Sequence, residues 1–213
     1  MRSYQQYCGL ARALDVVGDR WTLLIVRELL LVESARYSDL LDGLPGIATN
    51  LLAERLRAME DAGLVAREES PPPRPATLFR LTTRGAALEP VLEAFGRWAA
   101  PLMGEPHQDD TTRPAWLLLP MRLYLKDRTP SKPPATIQVI VDGVPLLVET
   151  TGGGSVRTRP GTTERPDATL SGAPHVVMGV LVGRLSIAQG RARGLRFHGD
   201  ARAVQRLQPH NSN

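Results

Sequence analysis

Few side chains in this sequence could do covalent or metal chemistry. Cys8 is the single cysteine, so a disulfide within the chain and a four-thiolate zinc site are both excluded. The four histidines show no metal-ligand spacing. The sequence has no nucleophile elbow and no paired-carboxylate motif, and the glycines at 152–154 lack the lysine of a phosphate loop. We therefore expect no enzymatic activity, no metal and no cofactor.

A different chemistry, hydrogen bonding to nucleic acid bases, is indicated near residue 50. Thr49 and Asn50 lie in the first turn of a segment, 47–62, in which apolar side chains recur at i, i+4 and i+7. Asparagine can form two hydrogen bonds with adenine in the major groove of DNA. The candidate DNA-contacting residues of this half of the chain are Arg36, Ser38, Thr49, Asn50, Ala53, Arg55, Arg57 and Arg74.

The elements expected around these residues follow helix-turn-helix order. Apolar spacing predicts a helix over 8–17 and a second over 21–32, with Asp19 as the N-cap of the second. The second helix is apolar nearly all round, which is typical of the centre of a core. A short helix capped by Ser38, a turn at Gly43-Leu44-Pro45-Gly46 and the 47–62 helix follow. The second helix of such a pair enters the major groove with its N-terminal residues leading.

A hairpin and a last helix complete the N-terminal half. The patterns at 64–69 and 77–82 predict two strands, and the proline-rich segment between them forms a protruding tip. That tip would place Arg74 along a phosphate ridge or in a narrow minor groove. A helix then runs from Thr82 or Thr83 towards Met103, kinked or started late at Pro90. Its broad apolar stripe predicts a dimer interface.

Taken together, these segments resemble the HxlR-type family of winged-helix regulators over residues 7–103. The resemblance implies a homodimer that binds double-stranded operator DNA. It rests on Cys8, Gly18-Asp19-Arg20-Trp21-Thr22, Arg36-Tyr37-Ser38-Asp39-Leu40, Leu44-Pro45-Gly46-Ile47, Leu52-Ala53-Glu54-Arg55-Leu56-Arg57, Gly63-Leu64-Val65 and Leu81-Thr82-Thr83-Arg84-Gly85.

Two positions depart from the family pattern. Ala48 stands where members usually have a serine that caps the recognition helix, so the cap either shifts to Thr49 or is lost, at a cost of about 1 kcal/mol. Asn50 stands where a basic residue is common. The operator sequence therefore cannot be carried over from relatives.

Cys8 and Arg55 each have two interpretations. Cys8 is either a buried small apolar residue or, as the resemblance suggests, a sensor of oxidants or electrophiles with Arg12 stabilising its thiolate. Arg55 either contacts a phosphate or holds its helix through an ion pair. The carboxylates expected within its reach are those of Glu28, Asp39 and Glu60.

The second half of the chain predicts an α+β domain over 114–208, after a polar linker at 105–113. Its patterns predict a helix over 114–125, strands at 136–141, 144–149, 155–159 and 168–171, and a terminal helix capped by Asp200. The Asp142-Gly143 pair predicts a hairpin turn between the first two strands. The order of its elements resembles the sterol-carrier-protein-2-like fold, through Asp167-Ala168-Thr169-Leu170 and Phe197-His198-Gly199-Asp200. That resemblance implies an apolar tunnel for a lipid-like molecule, although an ordinary packed core predicts the same lining. The candidate ligand-binding residues are Trp116, Val139, Val148, Val177, Met178 and Leu181.

Charge is divided unevenly between the two halves. Residues 1–105 carry 12 Arg and 14 Asp or Glu, a net −2, whereas residues 106–213 carry 14 Lys or Arg and eight Asp or Glu, a net +6. The basic excess thus lies outside the half expected to bind DNA. The run at 191–196 could add nonspecific DNA affinity, although such runs are more often solvated surface.

These patterns predict an α+β protein with a winged helix-turn-helix DNA-binding and dimerisation domain at 1–104, followed by the small sterol-carrier-like domain. We expect a cytoplasmic, sequence-specific transcriptional regulator without a membrane partner. Its signal would be a small apolar effector or a redox or electrophile signal, with Cys8 as sole sensor in the latter case. The alternative is a carrier of a lipid-like ligand, whose winged helix serves dimerisation or protein contact.

Overall fold

The computed structural model of the protein describes residues 3–69, 76–104, 107 and 109–209. The chain divides into two compact units, with the boundary between Ala100 and Pro101. Among the residues described, no helix has the length and apolar content needed to cross a membrane.

The first unit consists of helices and one small antiparallel sheet. The three strands have the order β1-β3-β2, and Ala66 pairs with Arg80 in the β2–β3 hairpin. A 3-10 turn, Ala100–Leu102, follows the last helix. The elements are α1 (Gly9–Val17), α2 (Thr22–Leu30), β1 (Ala35–Arg36), α3 (Tyr37–Gly43), α4 (Thr49–Asp61), β2 (Val65–Glu69), β3 (Thr77–Leu81), α5 (Thr83–Ala86) and α6 (Glu89–Ala99).

The core of the first unit forms around α2. Ile25 and Val26 of α2 are fully buried, as the all-round apolar pattern predicts. From α4, the side chains of Leu52, Leu56 and Met59 are buried in the same core. The i, i+4, i+7 pattern of α4 is thereby confirmed, and the opposite face of this helix is directed to solvent.

Two helices of the first unit begin differently from expectation. Asp19 was expected to cap α2, but the Thr22 N–H donates to the backbone oxygen of Asp19, and the helix begins at Thr22. Ser38 was expected to cap α3, but that helix begins at Tyr37. The Arg36 N–H donates to the Asp39 carboxylate at 2.9 Å. The N-cap residues are therefore Trp21 and Arg36, and both expected caps are wrong.

The last helix of the first unit is divided in two. Thr82 caps α5 by accepting a hydrogen bond from the Gly85 N–H at 3.0 Å. A separate helix, α6, begins at Glu89, with Pro90 in its first turn. Proline is tolerated there because the first-turn N–H groups have no partner within the helix. Pro90 was expected either to kink the helix or to delay its start, and the structure shows the delayed start.

The second unit is an α+β fold built on a five-stranded sheet. The strand order is β6-β5-β4-β7-β8, with β4 and β7 parallel and the other neighbours antiparallel. The Asp142-Gly143 turn joins β4 to β5, with both residues at positive φ as a tight hairpin turn requires. The elements are α7 (Leu118–Tyr124), β4 (Thr136–Val141), β5 (Val144–Thr150), β6 (Val156–Pro160), β7 (Ala168–Ser171), α8 (Pro174–Leu181), α9 (Ile187–Ala192), β8 (Arg196–Gly199) and α10 (Ala201–Leu207).

Two parts of the second unit differ from expectation. The helix expected over 114–125 is a 3-10 turn, Pro114–Leu117, followed by α7. The short helix α9 was not expected at all. The helix Ala201–Leu207, capped by Asp200, is confirmed.

The residues proposed to line an apolar tunnel lie in the core of this unit or at its margin. Val139, Val148, Val177 and Leu181 are fully buried. Trp116 and Met178 are half-buried. A packed core accounts for this burial as well as a lined cavity does, so the tunnel and the sterol-carrier-like likeness stay predictions.

A buried ion pair attaches α10 to the loop after α7. Arg206 Nε and Nη2 donate to the two carboxylate oxygens of Asp127 at 2.7 and 2.8 Å. The Asp127 side chain has no exposed area, and that of Arg206 is 12% exposed. The hydrogen bonds from Arg206 hold the pKa of Asp127 below its ordinary value of 3.8, while burial opposes that shift.

We expect Asp127→Asn to lower the free energy of unfolding by about 3 kcal/mol, because it leaves the Arg206 charge uncompensated. The folded-state pKa of Asp127 is the lower one, so the contribution of the pair is fully present above pH 3.8 and is lost as the pH falls through the folded-state pKa. The difference in the free energy of unfolding between the wild type and the Asp127→Asn variant should therefore become smaller at acid pH. Urea unfolding at several pH values measures both effects.

The control is Glu149→Gln, which breaks an exposed pair with Arg159. Exposed pairs contribute at most about 1 kcal/mol, so this variant should stay close to wild type. Equal losses in the two variants would contradict the structural role of the Asp127–Arg206 pair.

Candidate nucleic-acid interface

The turn between α3 and α4 is fixed by buried anchors and a backbone constraint. Leu44 and Ile47 are buried on either side of it, and the Ile47 N–H donates to the Leu44 oxygen at 3.1 Å. Gly46 has a φ of 87°, a conformation that favours glycine. The Tyr37 hydroxyl donates to the backbone oxygen of Thr49, which joins the first residues of α3 and α4. The helix-turn-helix pair is therefore held at both ends of the turn.

The first turn of α4 is exposed and has no side-chain cap. Ala48 is the N-cap residue and offers no acceptor oxygen, so the cap is lost rather than shifted to Thr49. The side chains of Thr49 and Asn50 have no hydrogen-bond partner among the residues described. The free N–H groups of this turn carry the positive end of the helix dipole. This end of α4 can therefore donate hydrogen bonds to bases or phosphates.

Arg55 does not have the carboxylate partners that the sequence suggested. Its guanidinium pairs with Asp19 and Glu54, instead of Glu28, Asp39 or Glu60. Its side chain is only 16% exposed. The ion pair with Asp19 connects α4 to the turn between α1 and α2, so Arg55 has a structural role. Sequence reasoning missed Asp19 because 36 positions separate the two residues.

Arg57 is the cation of α4 that is exposed and without a partner among the described residues. It lies beside an open groove of about 350 Å³ between α4 and the β2–β3 hairpin. Ala53 and Glu60 line the helix side of this groove, and Arg67 lines the hairpin side. The groove thus presents two guanidinium groups and one carboxylate.

The remaining candidate residues are Arg36, Ser38 and Arg74. Arg36 and Ser38 are exposed at the start of α3. Arg74 lies outside the described residues. Arg36 and Ser38 lie at the start of α3, and α4 is the next helix of the same motif. A contact of Arg36, Ser38 or the first turn of α4 with DNA stays a prediction.

The hairpin is attached to the end of α4 by close backbone contacts. Gly63 ends α4 with a φ of 67°, and the Thr82 hydroxyl donates to its oxygen at 2.7 Å. A Cβ placed on Gly85 would lie 2.0 Å from the Leu64 oxygen, so α5 packs directly on the chain that leaves α4. These contacts set the position of the hairpin relative to α4.

Cys8 is exposed at the N-cap of α1, so the interpretation as a buried apolar residue is wrong. Arg12, which was expected to stabilise a thiolate, lies 3.7 Å from the Asp15 carboxylate. The positive charge of Arg12 is thus partly offset by the Asp15 carboxylate. Among the described residues, no group of three His, Cys, Asp or Glu side chains could hold a metal ion.

Comparisons with known proteins match the N-terminal half. The family model described as HxlR-like helix-turn-helix matches residues 16–106. The HTH-type transcriptional regulator YvaP of Bacillus subtilis is 36% identical over 88 residues, covering 41% of this chain and 81% of that protein. An uncharacterised HTH-type transcriptional regulator of Synechocystis sp. is 37% identical over 88 residues, covering 41% of this chain and 64% of that protein.

The structure of the transcriptional regulator YodB from B. subtilis in its reduced form is also similar. It is 27% identical, with a TM-score of 0.42, covering 48% of this chain and all of that one.

The helix pair, the hairpin and the matches to the family model and to YvaP define the first unit as a winged helix-turn-helix domain. The chain belongs to the HxlR-like helix-turn-helix family. The match to the family model ends at residue 106, so it does not assign the second unit to a family.

We expect Ala48→Thr to stabilise the protein relative to Ala48→Val by about 1 kcal/mol. The two variants have side chains of the same shape, and only threonine offers an oxygen to the free N–H groups of α4. Thermal or urea unfolding of both variants measures the difference. Equal stabilities would show that these N–H groups have no need of a cap.

Proposed function

We propose that the protein is a sequence-specific transcriptional regulator that binds double-stranded operator DNA as a homodimer. The observation that carries this proposal is the exposed, uncapped first turn of α4 beside a rigid core. Its relatives are named HTH-type transcriptional regulators, which supports the same class. We propose a regulator rather than an enzyme on the same grounds.

In the proposed complex the first turn of α4 enters the major groove. Asn50 has its amide free to accept from and donate to adenine, and Thr49 lies beside it. Arg57 lies two turns further along and contacts a phosphate, which fixes the position of the helix without reading sequence.

We propose that α6 forms the dimer interface. Val91, Phe95 and Trp98 of α6 are 40%, 54% and 74% exposed. An apolar stripe of this kind is costly in water and marks an interaction surface. A second copy of the same helix would cover it and would place two recognition helices on one duplex.

Two signals remain candidates for controlling DNA affinity. An apolar effector could bind in the second unit, or an oxidant or electrophile could react at Cys8, whose exposed thiol is accessible. Replacing Cys8 with serine and adding a quinone separates these two routes. A bound lipid, together with no DNA binding, would favour the carrier alternative.

We expect Asn50→Ala to reduce the preference for the DNA around the protein's own gene over a scrambled duplex. The loss should be about 1–3 kcal/mol, with little change in binding to the scrambled duplex. Arg57→Gln should instead weaken binding to both duplexes. It should also lower the slope of log K against log salt by the amount expected for about one phosphate contact. Fluorescence anisotropy over a salt series measures both quantities.

Gln205→Ala removes an exposed amide from the second unit and serves as the control. A wild-type protein that binds both duplexes equally would contradict sequence-specific recognition. So would an Asn50→Ala variant that keeps its full preference.

We expect the double variant Phe95→Glu, Trp98→Glu to be a monomer, because two carboxylates would be buried in the proposed interface. Sedimentation equilibrium should give the chain mass of 23.3 kDa for the variant and twice that mass for the wild type. Val144→Glu places one carboxylate on another exposed apolar position and should leave the dimer intact. A dimeric double variant would exclude α6 as the interface.

A further inference from the structure

The second unit contains a long stretch of chain without a carboxylate. Between residues 168 and 199 there are four arginines, two histidines and no Asp or Glu. The stretch forms β7, α8, α9 and β8. The arginines lie in the turn before α9, in α9, directly after α9 and at the start of β8. We name them the α9 patch, which consists of Arg184, Arg191, Arg193 and Arg196.

The charges of the α9 patch are not neutralised within the described residues. Arg191 donates to the Phe197 backbone oxygen at 3.2 Å, and its guanidinium lies 5.9 Å from the centre of the Phe197 ring. Arg196 donates to the Ser171 hydroxyl at 3.3 Å. Arg184 and Arg193 are exposed, and their side chains form no described hydrogen bond. None of the four pairs with a carboxylate in the described part of the chain.

The elements that carry the α9 patch are closely packed. Ser186 caps α9 by accepting from the Gln189 N–H at 3.1 Å. A Cβ on Gly190 would lie 2.8 Å from a Val180 methyl group, so α9 lies directly on α8. After α9 the chain turns back, and the Leu195 N–H donates to the Gly190 oxygen at 2.9 Å. The arginines therefore extend from a fixed scaffold.

The arginines are spread along the helix and its two ends. Arg184 precedes α9, and Arg193 directly follows it, so a helix of about 9 Å separates their backbones. Arginine presents a planar set of donors that fits two oxygens of one phosphate. A row of unpaired guanidinium groups on a rigid surface is suited to a polyanion whose charges repeat along its length.

We propose that the α9 patch binds the phosphate backbone of double-stranded DNA and supplies a large part of the salt-sensitive, sequence-independent affinity. This inference rests on the proposed function, which makes DNA the ligand of the protein. Residues 1–105 have a net charge of −2, and the Arg55 charge on α4 is paired with Asp19 and Glu54. The first unit alone thus has little excess charge to attract DNA.

A membrane surface is the other polyanion that a basic patch can bind. Stable attachment to a bilayer needs apolar side chains that insert between the lipids. No large apolar side chain between residues 168 and 199 is exposed among those described. The patch is therefore better matched to DNA.

The test compares two variants of equal charge in the full-length protein. One is Arg184→Gln, Arg193→Gln, in the α9 patch. The control is Arg157→Gln, Arg165→Gln, which removes two exposed arginines elsewhere in the second unit. Arg157 lies on β6, at the opposite edge of the sheet from β8, about 19 Å away across four strand spacings. Circular dichroism and thermal unfolding establish that both variants are folded.

Binding to a scrambled duplex is measured over a salt series. Each lost phosphate contact lowers the slope of log K against log salt by about 0.9, so the patch variant should lose up to about 1.8. The control variant should keep the wild-type slope within a few tenths. Equal slopes for the two variants would overturn the inference, and so would a wild-type protein that binds no duplex. Patch-dependent binding to vesicles of anionic phospholipid, with duplex binding unchanged in the variant, would also overturn it.

The same samples distinguish this inference from the proposed function. The ratio of affinities for the two duplexes reports base recognition by α4, whereas the slope on the scrambled duplex reports the α9 patch. A wild type without sequence preference would therefore refute sequence-specific regulation and still leave the slopes to decide the role of the patch.

Discussion

Burial of one face of α4 in the core of the first unit is the constraint on which that unit depends. Leu52, Leu56 and Met59 have almost no exposed area. Because side chains at this spacing share one face, their burial also fixes which residues of α4 point outwards. Rotation of the helix would place a leucine in solvent, at a cost of about 2 kcal/mol for each side chain exposed. The orientation of Asn50 thus follows from apolar packing on the other side of the helix.

Local sequence patterns predicted most elements, because periodicity and turn residues act over short distances. The bounds of β4 and β7 agree with the structure, since alternation and the Asp142-Gly143 turn define a strand and its end. The two-residue strand β1 was missed because only its pairing with β3 gives it strand geometry. The helix α9 was missed because its six residues lack an apolar period and its Gly190 is selected by contact with α8.

The candidate site was less predictable than the fold. Thr49 and Asn50 were placed correctly at the start of α4, because the apolar pattern gives the phase of that helix. The ion pair of Arg55 with Asp19 and the hydrogen bond of the Tyr37 hydroxyl depend on chain segments brought together by folding. The spacing of residues within α4 does not indicate either of these contacts. The exposure of Cys8 is likewise a tertiary property, and the general tendency of cysteine to be buried predicted it wrongly.

The contact between Gly85 and Leu64 has a consequence for the geometry of DNA recognition. The backbone here comes so close that any side chain on Gly85 would push α5 away from the chain that leaves α4. Since α5 leads into α6, the apolar stripe would shift relative to the recognition helix. In the proposed two-fold dimer, that shift changes the distance between the two recognition helices, which sets the spacing of half-sites along the duplex. If the protein binds DNA as proposed, a single methyl group, added far from any base, would alter the length of operator that it prefers.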